Sequence, residues 1–114
     1  MIFIFAKYCN QNVFRGCSDK LRKQTLKYFI ELDKKGYDYA TYALSYIYYL
    51  GEAGIKQDFK KSEKYLLKYY KKTGNSDIAN TLGYIYYYGR VNAGKPQYDK
   101  AYKYGYIVLK NDEY

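Results

Sequence analysis

The side chains that most often carry catalysis are sparse in this sequence. Histidine, the commonest general base and metal ligand, is absent from all 114 residues. Cys9 and Cys17 have no histidine to activate them and lack the close spacing of zinc ligands. The carboxylates are scattered over turns and helix starts, where capping and compensation of the helix dipole explain them. We therefore expect a protein that is not an enzyme and that needs no metal or cofactor.

Tyrosine and lysine are abundant enough to form surfaces. The chain has 20 tyrosines, and its Lys and Arg total of 20 against 11 Asp and Glu gives a net charge of +9. Tyrosine supplies a large ring together with a hydroxyl and is favoured at protein interfaces. Positive charge attracts acidic proteins, anionic membranes or nucleic acid. The composition therefore favours binding over catalysis and does not name the partner.

The lysines form two stripes at helical spacing. One stripe is Lys60, Lys64, Lys68, Lys71 and Lys72, and the other is Lys20, Lys23, Lys27 and Lys34. Such a stripe is either a solvated convex face or a docking surface for an acidic protein or nucleic acid, whose binding would weaken steeply with salt. Arginine, which usually clamps phosphates and bases, is rare. Both interpretations of the stripes stay open.

The elements that would position these residues follow from an internal repeat of 38 residues. Aligning Gly36 with Gly74 matches Leu44 with Leu82 and the "YIYY" of 46–49 with that of 84–87. A turn and a second segment follow each copy. A period of this size with two segments per unit is typical of stacked helical hairpins.

Each repeated segment has one apolar face with helical steps. The faces are Ala40, Leu44, Ile47, Tyr48 and Gly51 in the first copy, and Ile78, Leu82, Ile85, Tyr86 and Gly89 in the second. This spacing predicts two helices, each closed by a glycine. The rings that face away from these apolar faces are Tyr42, Tyr46, Tyr49, Tyr84, Tyr87 and Tyr88. They are candidates for binding a partner, and packing of repeat against repeat is the alternative use of the same rings.

The pattern of small and aromatic residues in the repeat resembles a known family. The second copy carries it through Gly74, Leu82, Gly83, Tyr86, Gly89, Tyr98, Lys100 and Ala101, and the first through Gly36, Ala40, Leu44, Tyr48, Gly51, Asp58, Phe59 and Lys61. These residues resemble the Sel-one-like repeat, a branch of the tetratricopeptide superfamily. The sequence departs from the pattern at Ser45, Ser62, Ile78 and Glu113.

The resemblance implies an all-α fold, a short right-handed α/α solenoid of antiparallel helical hairpins with about two and a half repeats. It implies one domain over 1–114, with a degenerate repeat or cap at 1–35 and repeats at 36–73 and 74–114. In such solenoids the first helix of each hairpin lines the concave surface, which would place the six candidate tyrosines along a groove. Some secreted members have a disulfide between cysteines eight apart, as Cys9 and Cys17 are.

We therefore expect a protein-interaction module that binds an acidic protein through a tyrosine-lined groove with a basic rim. The family's members serve as adaptors and scaffolds, and a small basic unit also suits a dedicated inhibitor such as a toxin immunity protein. Nucleic-acid binding through the lysine stripes is the alternative, and open terminal helices would allow self-association. No segment has the roughly 18 to 20 apolar residues of a spanning helix. The start "MIFIFAKYCN" lacks the features of a signal peptide, so we expect a cytoplasmic protein with reduced cysteines.

Overall fold

The protein is helical throughout the part that the structure describes. The structure is a computed structural model that describes residues 19–51 and 54–112, with side chains for 20–51 and 54–105. Its five helices are α1 (Asp19–Lys34), α2 (Asp38–Leu50), α3 (Phe59–Thr73), α4 (Ser76–Tyr87) and α5 (Tyr98–Asp112), with no strand among these residues. The predicted all-α class is confirmed. Within 19–51 and 54–112, no helix has both the length and the apolar character needed to cross a membrane.

The chain forms two compact units, Met1–Asp58 and Phe59–Tyr114. In the first unit α1 packs against α2. In the second unit α4 packs against both α3 and α5. Cys9, Cys17 and Glu113 lie outside the described residues, so the reduced state of the two cysteines stays a prediction, as do the repeat boundaries at 36 and 74.

The core of the first unit uses the face that the sequence predicts. Leu44, Ile47 and Tyr48 of α2 are buried, together with Phe29 of α1. One buried polar contact joins the helices, because the Thr41 hydroxyl of α2 donates a hydrogen bond to the Asp33 carboxylate of α1. A buried carboxylate needs such donors to offset the loss of water.

The second unit has a core in which tyrosine stands beside aliphatic residues. Leu82 and Ile85 of α4 and Leu66 of α3 are buried, and the stacked rings of Tyr86 and Tyr104 lie 5.7 Å apart. The Tyr86 hydroxyl donates a hydrogen bond of 2.6 Å to Glu63 Oε2. Burial, and next this hydrogen bond, raise the pKa of Tyr86 well above its ordinary value. Burial likewise raises the pKa of Tyr104.

The helix ends are set by local chemistry that can be read in the sequence. The Asn75 side chain accepts hydrogen bonds from two N–H groups of the first turn of α4. At the other end of α4, Gly89 has a φ of +65°, and the Arg90 N–H donates to the Ile85 carbonyl at 2.9 Å. This is the Schellman ending, which needs a left-handed residue. Gly51 ends α2 in the same left-handed region, with a φ of +71°.

Candidate functional site

The helices α4 and α5 run antiparallel and approach each other closely at Gly83. A Cβ built on Gly83 would lie 3.7 Å from the Ala101 carbonyl oxygen and 3.8 Å from the Gly105 nitrogen. Without side chains at Gly83 and Gly105, little material stands between the two backbones at this level. These small residues therefore form a floor between the two helices, and the larger neighbouring side chains form its sides.

A groove of about 450 Å³ lies over this floor, and we call it the α4–α5 groove. Its lining consists of Asn80, Gly83, Tyr84 and Tyr87 from α4, and Tyr98, Ala101, Tyr102 and Gly105 from α5. Pockets that hold organic ligands usually measure a few hundred Å³ or more and are lined mainly by apolar and aromatic groups. In size and lining, the α4–α5 groove meets this description.

Ring contacts hold three of the groove tyrosines in place. The rings of Tyr87 and Tyr98 meet edge to face at 5.6 Å and link α4 to α5. Tyr88 does not line the groove, but its ring stacks on Tyr84 at 6.4 Å and meets Tyr87 edge to face at 5.0 Å. Such pairs stabilise by about 0.5 to 1.5 kcal/mol each, beyond the area that they bury.

The groove tyrosines stay accessible to solvent despite these contacts. Tyr84, Tyr87, Tyr98 and Tyr102 are 52%, 51%, 62% and 74% exposed, respectively. Rings that are already oriented lose little conformational entropy when a partner covers them. The arrangement is therefore suited to binding by stacking and by hydrogen bonds from the phenol groups.

The lining of the groove carries no charge, and a cation lies beside it. The eight lining residues are glycine, alanine, asparagine and tyrosine, with no acidic or basic residue among them. The guanidinium of Arg90 lies 5.8 Å from the centre of the Tyr88 ring and 5.5 Å from that of Phe59. Arg90 thus places a positive charge next to the rings at the Tyr87 end of the groove.

The predicted lysine stripes are on other surfaces. On α3, Lys60, Lys64, Lys71 and Lys72 are exposed and Lys68 is half-buried. None of these lysines lines the α4–α5 groove. On α1, Lys20, Lys23, Lys27 and Lys34 are exposed, and the first three border a shallow hollow of about 420 Å³ with Gln24.

The tyrosines of the first unit form a row of their own along α2. The rings of Tyr42 and Tyr46 are 5.0 Å apart, and those of Tyr46 and Tyr49 are 6.0 Å apart. Tyr42 is exposed, while Tyr46 and Tyr49 are half-buried. Of the six candidate tyrosines, the structure brings Tyr84, Tyr87 and Tyr88 together in one cluster and Tyr42, Tyr46 and Tyr49 in another. A single binding surface for all six stays a prediction.

Sequence reasoning missed half of the groove. Tyr98, Tyr102 and Gly105 come from α5, whose rings were not among the candidates for binding. The signal was present, because positions 98, 101, 102 and 105 follow the i, i+3, i+4, i+7 spacing of one helical face. Within the described ranges, no group of three or more acidic or cysteine side chains is placed to hold a metal ion.

The fold and the groove define the molecule as a small all-helical protein with an exposed aromatic groove. Comparisons of the chain with models of protein families, with curated proteins and with solved structures gave no match. The resemblance to Sel-one-like repeats therefore depends on the repeat pattern alone.

Proposed function

We propose that this protein is a non-enzymatic protein-interaction module that binds an acidic protein partner through its tyrosine surfaces. The observation that carries the proposal is the α4–α5 groove, where exposed tyrosines are fixed by ring contacts around a floor of small residues. The proposal includes a Sel-one-like fold, a short right-handed solenoid of about two and a half repeats, as the repeat pattern implies. Tyr42, Tyr46 and Tyr49 of the first unit belong to the same proposal as partner-binding residues.

The exposed rings supply the energetic reason for binding. A tyrosine that goes from half exposed to covered removes on the order of 100 Å² from water. For the four rings of the groove, this is several hundred Å², or on the order of 10 kcal/mol before the costs of association. Those costs are of similar size, so the net affinity depends on how well the rings are oriented beforehand. The contacts of Tyr88 and Tyr98 provide that orientation.

The positive charge gives the reason for an acidic partner. With a net charge of +9, the molecule attracts acidic surfaces over a distance of about 10 Å at ordinary salt. The exposed lysines of α1 and α3 are outside the groove, where they can accelerate association without being buried. Dissociation would be controlled by the uncharged groove. We therefore expect added salt to slow association more than it speeds dissociation.

Two biological roles fit this binding mode. An adaptor would bind several partners weakly, whereas a dedicated inhibitor, such as an immunity protein for a toxin, would bind one partner tightly and stoichiometrically. The proposed location is the cytoplasm. Self-association through the open end of the repeat array belongs to the same proposal, and sedimentation at several concentrations measures it.

The test is quantitative co-purification with matched variants. The tagged full chain is compared with the double variant Tyr87→Ala/Tyr98→Ala and with Tyr28→Ala, which removes an exposed tyrosine from α1. We expect the double variant to lose a captured protein that the control retains, with both variants as helical as the wild type by far-UV circular dichroism. The measurement is repeated with Tyr49→Ala to test the first unit. Equal capture by the folded double variant would refute the proposed surface.

Nucleic-acid binding is the second candidate function, and the exposure of the lysines on α1 and α3 favours it. Its test is a titration with duplex DNA and single-stranded RNA near physiological salt. A variant with Lys60→Glu, Lys64→Glu and Lys71→Glu should then lose affinity, while the groove variant keeps it. Absence of binding to both nucleic acids would exclude this function.

A further inference from the structure

We infer that the α4–α5 groove binds a proline-rich segment in the polyproline II conformation, flanked by acidic residues that meet Arg90. This inference deepens the proposed function and rests on it. In this inference the groove recognises a short linear segment of the partner. A flat surface, by contrast, would need a folded domain as its partner.

The first argument is the hydrogen-bonding chemistry of the groove. Both walls are helices, whose backbone groups bond to each other within the helix. The walls therefore offer no free backbone edge to an extended strand, which would leave its own N–H groups unpaired. Proline has no N–H, so a proline-rich segment presents carbonyl acceptors and few donors. The Asn80 amide and the phenols of Tyr84, Tyr87 and Tyr98 are donors that can reach such carbonyls.

The second argument is size. Both walls span seven residue steps, from Asn80 to Tyr87 and from Tyr98 to Gly105, which is about 10 Å of helix. Polyproline II rises 3.1 Å per residue, so three steps, the span of a P-x-x-P core, cover about 9 Å. The length of the groove therefore matches that of a P-x-x-P core.

The third argument is charge. Single-stranded nucleic acid could stack its bases on the same rings, but proteins that bind it in this way combine the rings with basic residues that follow the phosphates. Among the side chains that the structure describes, no lysine or arginine lines the groove. One cation, Arg90, stands next to the cluster at the Tyr87 end, and the whole molecule is positively charged. This distribution matches a neutral core of prolines with a carboxylate at one or both ends.

Gly105 offers a variant that fills the groove without harming the fold. It lies inside α5, and a Cβ added to it meets no atom within 4 Å. Leucine is also a much better helix former than glycine. Gly105→Leu should therefore keep the helix while its side chain occupies the floor, and far-UV circular dichroism checks that the variant is folded. Tyr28→Leu places the same residue on an exposed part of α1 and is the matched control.

The experiment measures the binding of three labelled peptides to the full chain by fluorescence anisotropy. The probe has six prolines between pairs of glutamates, and the two control peptides replace the prolines with alanines or the glutamates with lysines. We expect the probe to bind at least about tenfold more tightly than either control peptide. Gly105→Leu and Tyr98→Ala should each weaken the probe about tenfold or more, while Tyr28→Leu leaves its affinity unchanged.

Several results would overturn the inference. Equal binding of the alanine peptide would indicate a helical ligand, and tighter binding of single-stranded RNA that Gly105→Leu abolishes would indicate stacked bases. Self-association that Gly105→Leu abolishes in sedimentation would indicate that a second copy fills the groove. If the probe does not bind but Gly105→Leu releases the co-purified partner, the inference fails and the proposed function stands. If the groove variants change neither the binding of the probe nor the capture of the partner, both the inference and the proposed function fail.

Discussion

Three glycines of the second unit should respond to alanine with different signs and sizes. Gly74 and Gly89 have nearly the same left-handed backbone, with φ of +64° and +65°, whereas Gly105 lies inside helix α5 without a positive φ. Their surroundings also differ. A Cβ on Gly74 or Gly105 meets nothing within 4 Å, but a Cβ on Gly89 would lie 2.5 Å from the Gly94 carbonyl carbon. Comparing the three alanine variants therefore separates dihedral strain from steric conflict.

The magnitudes follow from these differences. Gly105→Ala should raise the free energy of unfolding by about 0.5 to 1 kcal/mol, because alanine is the better helix former. Gly74→Ala should lower it by about 1 to 2 kcal/mol, the cost of a left-handed residue with a Cβ. Gly89→Ala has the same left-handed strain as Gly74→Ala, and its added Cβ must also displace the backbone of Gly94 and Lys95. The Gly94 N–H donates to the Gly89 carbonyl at 2.9 Å, so this turn would open, for a total of about 3 kcal/mol or more.

The assay is urea unfolding followed by far-UV circular dichroism, with thermal unfolding as a second measure. All three positions lie in the second unit, so the three variants are compared within one part of the fold. A change of 1 kcal/mol should move the melting temperature by about 4 °C in a chain of this size. If Gly74→Ala destabilises as much as Gly89→Ala, the steric reasoning is wrong. If Gly105→Ala lowers the free energy of unfolding, the space beside Gly105 is not open. Gly105→Leu would then be unsuitable as a test of the groove.

Three further substitutions test individual contacts. Asn75→Ala removes the cap of α4, which bonds the N–H groups of the first turn at 2.8 and 3.2 Å, and should lower stability by about 1 kcal/mol in urea unfolding. Thr41→Val removes one donor to the buried Asp33 carboxylate and should cost about 1 to 3 kcal/mol by the same assay. Tyr86→Phe concerns pH. Burial and the bond to Glu63 raise the pKa of Tyr86 above its ordinary value of about 10. The protonated phenol therefore stabilises the folded state fully below pH 10, and this stabilisation is lost as the pH rises further. Stability measured from pH 8 to 11 should therefore fall less steeply in the phenylalanine variant than in the wild type, and an unchanged slope would contradict this reasoning.

The helices could be predicted because their signals are local. The helical spacing of Ile78, Leu82 and Ile85 needs only neighbours along the chain, and the structure buries all three. Gly89 and Asn75 mark the ends of α4 for equally local reasons, since one supplies a left-handed residue and the other a capping oxygen. In these cases the cause lies within about one turn of the residue that it explains.

The groove could not be predicted because it depends on how two helices meet. The tyrosines of α4 could be identified as outward-facing, but Tyr98 and Tyr102 become their neighbours only when α5 packs against α4. Gly83 lies at that crossing, 3.7 Å from the Ala101 carbonyl oxygen when a Cβ is added, but a glycine in the sequence does not indicate which helix it faces. A helical pattern in either segment alone gives the direction of a side chain and says nothing about the chain opposite.

The glycines of the groove floor also give a physical reason to regard the groove as functional. Neither Gly83 nor Gly105 has a positive φ, and a Cβ would make ordinary contacts at Gly83 and none at Gly105. The backbone therefore does not require glycine at either position, and alanine would favour both helices by up to about 1 kcal/mol per site. A single suboptimal residue is common in natural proteins. Here two of them form one floor beneath four exposed tyrosines, and both keep open the space that a ligand would fill. The two glycines lower helix stability at the floor of a groove whose tyrosines are exposed. Binding explains this combination more readily than folding does.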